Sequence, residues 1–143
     1  MIDLLIKEAW YTIQRNFVKA LKAYNISDAE CYVILAIPKE GINATLIPQS
    51  VGLAKGSVSR TLNKLYSKGF ISRNADSFDK RAAIIRLTDD GVIKRKEIKV
   101  LIVSYREFIS LKVGEDVIGQ IGEGLKLLVV ETKKAATVNF GDD

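Results

Sequence analysis

Three features of the sequence predict a mainly helical chain with one small β-hairpin, an α+β class. Apolar residues recur at three- and four-residue steps over most of the length. A helix, a glycine turn and a second helix follow one another between residues 44 and 68. Two short β-prone runs then bracket a polar loop at residues 74–82. With 143 residues, 48% hydrophobic and 27% charged, the chain is expected to bury a core as one domain, or one domain extended by arms, and not to be disordered.

The first helix is expected over 2–24. Ile2, Leu5, Ile6, Ala9, Ile13, Phe17, Ala20, Leu21 and Tyr24 form its stripe, with Trp10 and Tyr11 on its flanks. Asn25-Ile26-Ser27 breaks the pattern. Ser27 followed by Glu30 is a capping box, which opens a helix over about 28–37 that Pro38 and Gly41 end. Residues 44–51 read as a short helix. Pro48 is compatible with it only in the first turn. Gly52 ends it, and Leu53-Ala54-Lys55-Gly56 is expected to turn tightly. The next helix runs from about Lys55 to Lys68 and stops at Gly69. Residues 70–73 and 83–87 are the strands of the hairpin. Thr88 caps a helix to about Leu111, with Asp89 and Asp90 at its positive end. Gly114 interrupts it, and a last amphipathic helix covers 115–137 through Val117, Ile118, Ile121, Leu125, Leu128 and Val129.

Composition removes several functional classes. The chain has no histidine, so His-based triads, His general bases and imidazole metal ligands are excluded. Its single cysteine, Cys31, forms no internal disulfide framework or Cys-rich zinc site. No cofactor is expected. No run approaches the roughly 20 apolar residues of a membrane span, and the first residues do not read as a signal peptide. A cytoplasmic location without membrane contact is the expectation.

The formal charge is +5, and it is unevenly placed. Residues 55–95 hold ten bases (Lys55, Arg60, Lys64, Lys68, Arg73, Lys80, Arg81, Arg86, Lys94, Arg95) against four acids (Asp76, Asp79, Asp89, Asp90), whereas the remainder is nearly neutral. Such a concentration suits a polyanionic partner, although a solvated basic face accounts for it equally well. On a helical wheel of 56–68, Val58, Thr61, Leu62 and Leu65 share one side. Arg60, Asn63 and Ser67 lie opposite, with Ser59 and Lys64 on the flanks. A short polar face of this kind fits a major groove about 12 Å wide. Ser and Asn can bond base edges or phosphates, Arg can take a guanine, and Lys suits phosphates. The basic hairpin that follows would act as a wing, with Lys80 and Arg81 at its tip entering an adjacent minor groove.

The run Gly52-Leu53-Ala54-Lys55-Gly56-Ser57-Val58-Ser59-Arg60-Thr61-Leu62-Asn63-Lys64-Leu65, followed by Lys68-Gly69-Phe70-Ile71, resembles the recognition helix of the MarR family. Asp76-Ser77-Phe78-Asp79-Lys80-Arg81 resembles that family's D-x-x-D-x-R wing, and Leu87-Thr88-Asp89-Asp90-Gly91 its L-T-x-x-G helix start. The motifs cover roughly residues 26–95. The resemblance implies a winged helix-turn-helix over 26–88, with dimerisation helices at 1–25 and 89–138 in a single 1–143 domain. It also implies a homodimer on a pseudo-palindromic operator, acting as a transcription regulator, with repression the expected mode. The DNA-binding residues it implies are Lys55, Ser57, Ser59, Arg60, Asn63, Lys64, Lys80 and Arg81, and Asp79 would set the wing by pairing with Arg81. Family members often bind small aromatic acids between the arms and the winged domain, for which Trp10, Lys22 and Tyr32 are the candidates. Three positions depart from the family pattern: Ala54 replaces a Ser or Thr, Ser77 a Pro, and Pro48 stands where the helix usually continues.

Plainer readings accompany these. Cys31 is expected to be a buried, inert thiol rather than a redox sensor. Aromatics at helical spacing are more often core than ligand contacts. Glu115-Asp116 and Asp89-Asp90 sit at helix starts, where the helix dipole explains them without catalysis. A winged helix used for protein–protein contact is the alternative function, and it would need an apolar outer face on 56–68. An enzyme would need a nucleophile–base pair, and none is evident.

Overall fold

The computed structural model describes residues 1–75 and 83–135. The helices are α1 (Ile2–Leu21), α2 (Asp28–Ala36), α3 (Ile47–Val51), α4 (Lys55–Ser67), α5 (Asp89–Val113) and α6 (Glu115–Ala135), and the strands are β1 (Ile42–Asn43), β2 (Ile71–Ala75) and β3 (Ala83–Leu87). The class is the expected one, mostly helical with a small antiparallel sheet. The chain divides into two compact units, Met1–Leu101 and Ile102–Asp143.

The first unit departs from the sequence reading in several places, among them β2, which runs over Ile71–Ala75 and not 70–73. Residues 2–24 are not one helix, because a 3-10 turn (Lys22–Tyr24) follows α1 and ends at Asn25 with φ 54°. Residues 44–51 are likewise divided, into a 3-10 turn (Ala44–Leu46) and the five-residue α3. Pro48 is the cause: it has no N–H to donate back to Ala44, so an α-helix begun at 44 could not pass it. The proline falls in the first turn of α3, where it is tolerated. Asn43 caps the 3-10 turn, its Oδ1 accepting from the Thr45 N–H at 3.0 Å. Lys55 already belongs to α4, so the turn between the helices is confined to residues 52–54, with Gly52 at φ 67°.

The hairpin is accompanied by a third strand, β1, which pairs antiparallel with β3 through Ile42 opposite Ile85, giving the order β1-β3-β2. Two residues have no periodicity to read, and this strand was invisible in the sequence. The core of the unit brings together Leu21, Ile34, Ile37, Ile47, Val58, Leu62, Leu65, Ile71, Ile85 and Ile98, all buried. The apolar side of α4 expected from the wheel, Val58, Thr61, Leu62 and Leu65, is the side it buries.

Two junctions hold α4 in place. At its C-terminal end Gly69 adopts φ 74°. The Gly69 N–H donates to the Tyr66 carbonyl and the Phe70 N–H to the Leu65 carbonyl, the paired bonds of a Schellman stop. Thr88 then ties α5 to the same turn. Its hydroxyl donates to the Gly69 carbonyl at 2.6 Å and accepts the Gly91 N–H at 3.1 Å, while its own N–H donates to the Phe70 carbonyl. A Cβ at Gly91 would overlap the Phe70 carbonyl oxygen. The Thr-x-x-Gly spacing therefore has a steric and a hydrogen-bonding cause.

The second junction is a carboxylate. Ser27 and Glu30 form the expected capping box, at 2.8 and 3.2 Å. Glu30 is only 2% exposed, and the same Oε2 that accepts the Ser27 N–H also receives Lys68 Nζ at 2.9 Å. Lys68 additionally donates to the Asn25 carbonyl at 2.8 Å. This lysine joins the C-terminal end of α4 to the start of α2.

The second unit holds the end of α5, Gly114 at φ 96°, and α6. α6 buries no residue; Ile121, Leu125, Leu127, Leu128, Val129 and Val130 are all exposed. α1 buries only Leu21 and leaves Ile2, Leu4, Leu5, Trp10 and Ile13 exposed.

The two partners of the carboxylate pair are unequally buried, since the Lys68 side chain is 28% exposed. Removing the lysine strands a buried charge, whereas removing the charge of Glu30 leaves a lysine that can reach water. Lys68→Ala is therefore expected to cost about 3 kcal/mol and Glu30→Gln, which keeps the capping box, only about 1 kcal/mol, measured by urea denaturation.

Candidate nucleic-acid interface

The outward face of α4 follows from its inward one. With Val58, Thr61, Leu62 and Leu65 fixed in the core, Lys55, Ser59, Arg60, Asn63 and Lys64 are left exposed, and Ser57 is half-buried at the first turn. Six sequence-predicted residues thus lie on one helix, five of them in solvent. Thr61 and Ser67 turn their hydroxyls back to the Ser57 and Asn63 carbonyls. Asp79, Lys80 and Arg81, named for the wing and its tip, lie outside the described residues, as does the Asp79–Arg81 pairing.

Eight of the ten bases of residues 55–95 are described, and they differ in what they contact. Four are spent on the fold. Lys68 binds Glu30, Arg86 Nε donates to the Glu40 carbonyl at 3.1 Å, and Arg95 donates to the Ile37 carbonyl at 2.8 Å. Lys94 pairs with Glu97 at 2.6 Å and lies 5.6 Å from the Phe70 ring centroid. Lys55, Arg60, Lys64 and Arg73 are exposed on α4 and β2. Four of the eight described bases thus also bond to the fold, which a count along the sequence does not separate.

Arg73 was not singled out in the sequence. Its Nη2 donates to Asn63 Oδ1 at 2.6 Å, and its guanidinium carbon lies 5.4 Å from the ring centroid of Tyr66. Asn63 and Tyr66 stand three apart, hence on one helical face. The signals for Arg73 were its membership of the basic 55–95 segment and its place two residues after Ile71 in a strand.

The other sequence-predicted group is brought together as well. Trp10, Lys22 and Tyr32 line one cleft of about 1030 Å³ between α1, α2 and the turn after α3, with Arg15, Lys19 and Asp28 also on its wall. The Tyr32 hydroxyl accepts a bond from Gln14 Nε2 at 2.7 Å, which fixes it at the cleft. Cys31 on the neighbouring turn is buried. Burial, and then the charge of Asp28, push its thiol up to about 11, so it is protonated and unreactive at neutral pH. Among the described residues no group of three or more His, Cys, Asp or Glu is placed to hold a metal ion, and no helix is long and apolar enough to cross a membrane.

The N-terminus of α4 is open. Ala54 occupies the cap position in extended backbone with no side-chain bond to the first turn. Ala54→Ser is expected to add about 1 kcal/mol of stability, read as a rise in Tm.

Comparison with known proteins agrees with this geometry. The MarR family model matches residues 39–83, from before β1 to the start of β3. The HTH-type transcriptional repressor MdtR of Bacillus subtilis (strain 168) is similar at 23% identity over 114 residues, 76% of this chain and 74% of that protein. Among solved structures, the transcriptional repressor CouR bound to a 23-mer DNA duplex has a TM-score of 0.81 at 22% identity, covering 90% of this chain and 92% of that one. The Staphylococcus aureus MepR–DNA complex has a TM-score of 0.80 at 17% identity, covering 92% and 98%. With its helix-turn-helix, its three-stranded sheet and the Thr-x-x-Gly junction in place, the chain has the fold of these proteins and is similar to the MarR family over residues 39–83.

Proposed function

We propose that this chain is a dimeric, sequence-specific double-stranded-DNA-binding transcription regulator, acting as a repressor in the cytoplasm and not as an enzyme. The observation that carries the reading is the face of α4. Lys55, Ser59, Arg60, Asn63 and Lys64 stand in solvent on a helix whose other side is locked into the core. In the proposed complex this face enters the major groove. Arg60 reads a guanine, Ser57, Ser59 and Asn63 contact base edges or phosphates, and Lys55 and Lys64 hold the backbone. Lys80 and Arg81 reach the adjacent minor groove from a wing set by Asp79. The names of MdtR, CouR and MepR, repressors or DNA complexes, support the same reading. The alternative, a winged helix for protein contact, calls for an apolar outer face that α4 does not offer.

Dimerisation is supported by the apolar side chains that α1 and α6 leave uncovered. We assign residues 1–25 and 89–138 to the dimer and 26–88 to DNA, in a single functional domain. The cleft at Trp10, Lys22 and Tyr32 suits a small aromatic acid. Its wall offers aromatic faces, and Arg15, Lys19 and Lys22 outnumber Asp28.

Selection of bound fragments from a genomic duplex pool tests the function; recovery of no common sequence would refute it. On the operator so defined, Arg60→Ala should lose about 1–3 kcal/mol of specific binding with little change on random DNA. Arg81→Ala should weaken binding without unfolding the protein, and unchanged affinity would remove the wing from the interface. Light scattering should return about twice the chain mass of 15.8 kDa. The recognition helices should then lie roughly 34–36 Å apart, one turn of DNA.

A further inference from the structure

Arg73 leaves β2 on the covered side of the sheet. It stands directly opposite Ile85 and two residues from Ile71, and both isoleucines are buried. Residues opposite one another across an antiparallel pair, or two apart along a strand, share a face. Arg73 is nevertheless exposed, and its guanidinium reaches α4 beside Asn63 and Tyr66.

A guanidinium has only donors, so it fixes which end of the Asn63 amide faces it. Oδ1 must turn to Arg73, and Nδ2 must turn away. An unconstrained asparagine reads adenine with both ends, Nδ2 donating to N7 and Oδ1 accepting from N6. With one of its two Oδ1 lone pairs already taken by a cation, Asn63 is a poorer acceptor for the adenine N6 amino group. It presents N–H donors, which match the paired acceptors O6 and N7 of guanine, and the positive charge behind the amide strengthens them. The guanidinium carbon also lies 5.4 Å from the Tyr66 ring centroid, a contact that favours the same placement without DNA.

We propose that Arg73 is a specificity-determining residue that acts through Asn63, biasing it away from two-point readout of adenine and toward donation to guanine. This rests on the assignment of α4 to the major groove. Arg73 is a positioning residue here, since its effect on base choice passes through the asparagine.

The test uses the full-length protein and a random-sequence duplex pool. The base pair read by Asn63 is the one whose preference disappears in Asn63→Ala. At that pair the unsubstituted protein should favour guanine over adenine. Arg73→Met, which keeps the stem and removes the donors, should shift the adenine-to-guanine affinity ratio roughly tenfold toward adenine, the size of one regained base contact. The shift should be confined to that base pair and vanish in the Asn63→Ala background. Arg73→Lys keeps the charge but not the rigid fork. It should move the same ratio in the same direction by a smaller factor, and it serves should Arg73→Met fail to fold. A uniform loss of affinity with base preferences unchanged would overturn the proposal, leaving Arg73 a backbone contact. An unsubstituted protein that selects no sequence at all would instead remove the major-groove assignment.

Discussion

A carboxylate withdrawn from water sets the position of the helix on which the functional face depends. Glu30 receives the N–H that opens α2 and the ammonium that closes α4 on one oxygen, and its Oε1 is buried with no hydrogen-bond partner among the described residues. Burying an ion pair is a poor source of stability, because desolvation offsets most of the attraction. Its effect here is geometric. Apolar packing between two helices tolerates sliding, whereas a charge with one reachable partner selects one arrangement. The Asn25 carbonyl, also bonded to Lys68, adds a third fixed point. The orientation of Arg60 and Asn63 toward solvent is thus fixed from the inner side of the fold.

Much of this was legible in the residues. The wheel of α4 was readable because four apolar or small residues at helical spacing leave one choice of buried side, and the Ser27–Glu30 capping box was readable because its chemistry is local. The Thr88-x-x-Gly91 motif was visible as a pattern, but its cause, a backbone carbonyl where a side chain would be, is a property of tertiary packing. The sequence did not reveal β1, which exists only through its pairing with β3. Nor did it show the break at Ala44–Leu46, although Pro48 had restricted where a helix could begin.

Charge was the least transparent level. Along the chain, Lys64 and Lys68 look alike, four residues apart on one helix. The first faces solvent, and the second turns under the helix end to a buried acid. Arg73 and Arg86 lie on adjacent strands, directly opposite Ile85 and Ser72 respectively, yet one meets α4 and the other a carbonyl at Glu40. Which cations can meet a polyanion is decided by which carbonyls and carboxylates the fold leaves within reach.

The two-residue strand β1 has a consequence in time. Its partner Ile85 lies 43 positions after Ile42. At about 5–20 residues per second of synthesis, the partner strand becomes available roughly 2–9 s after β1. Throughout that interval the Ser27–Glu30 capping box of α2 is available because it is local, but the sheet edge that seats Ile42 is not. A five-residue α3 is too short to persist on its own. The winged unit is therefore completed as a late closure, in which the last strand to arrive secures one of the first segments made.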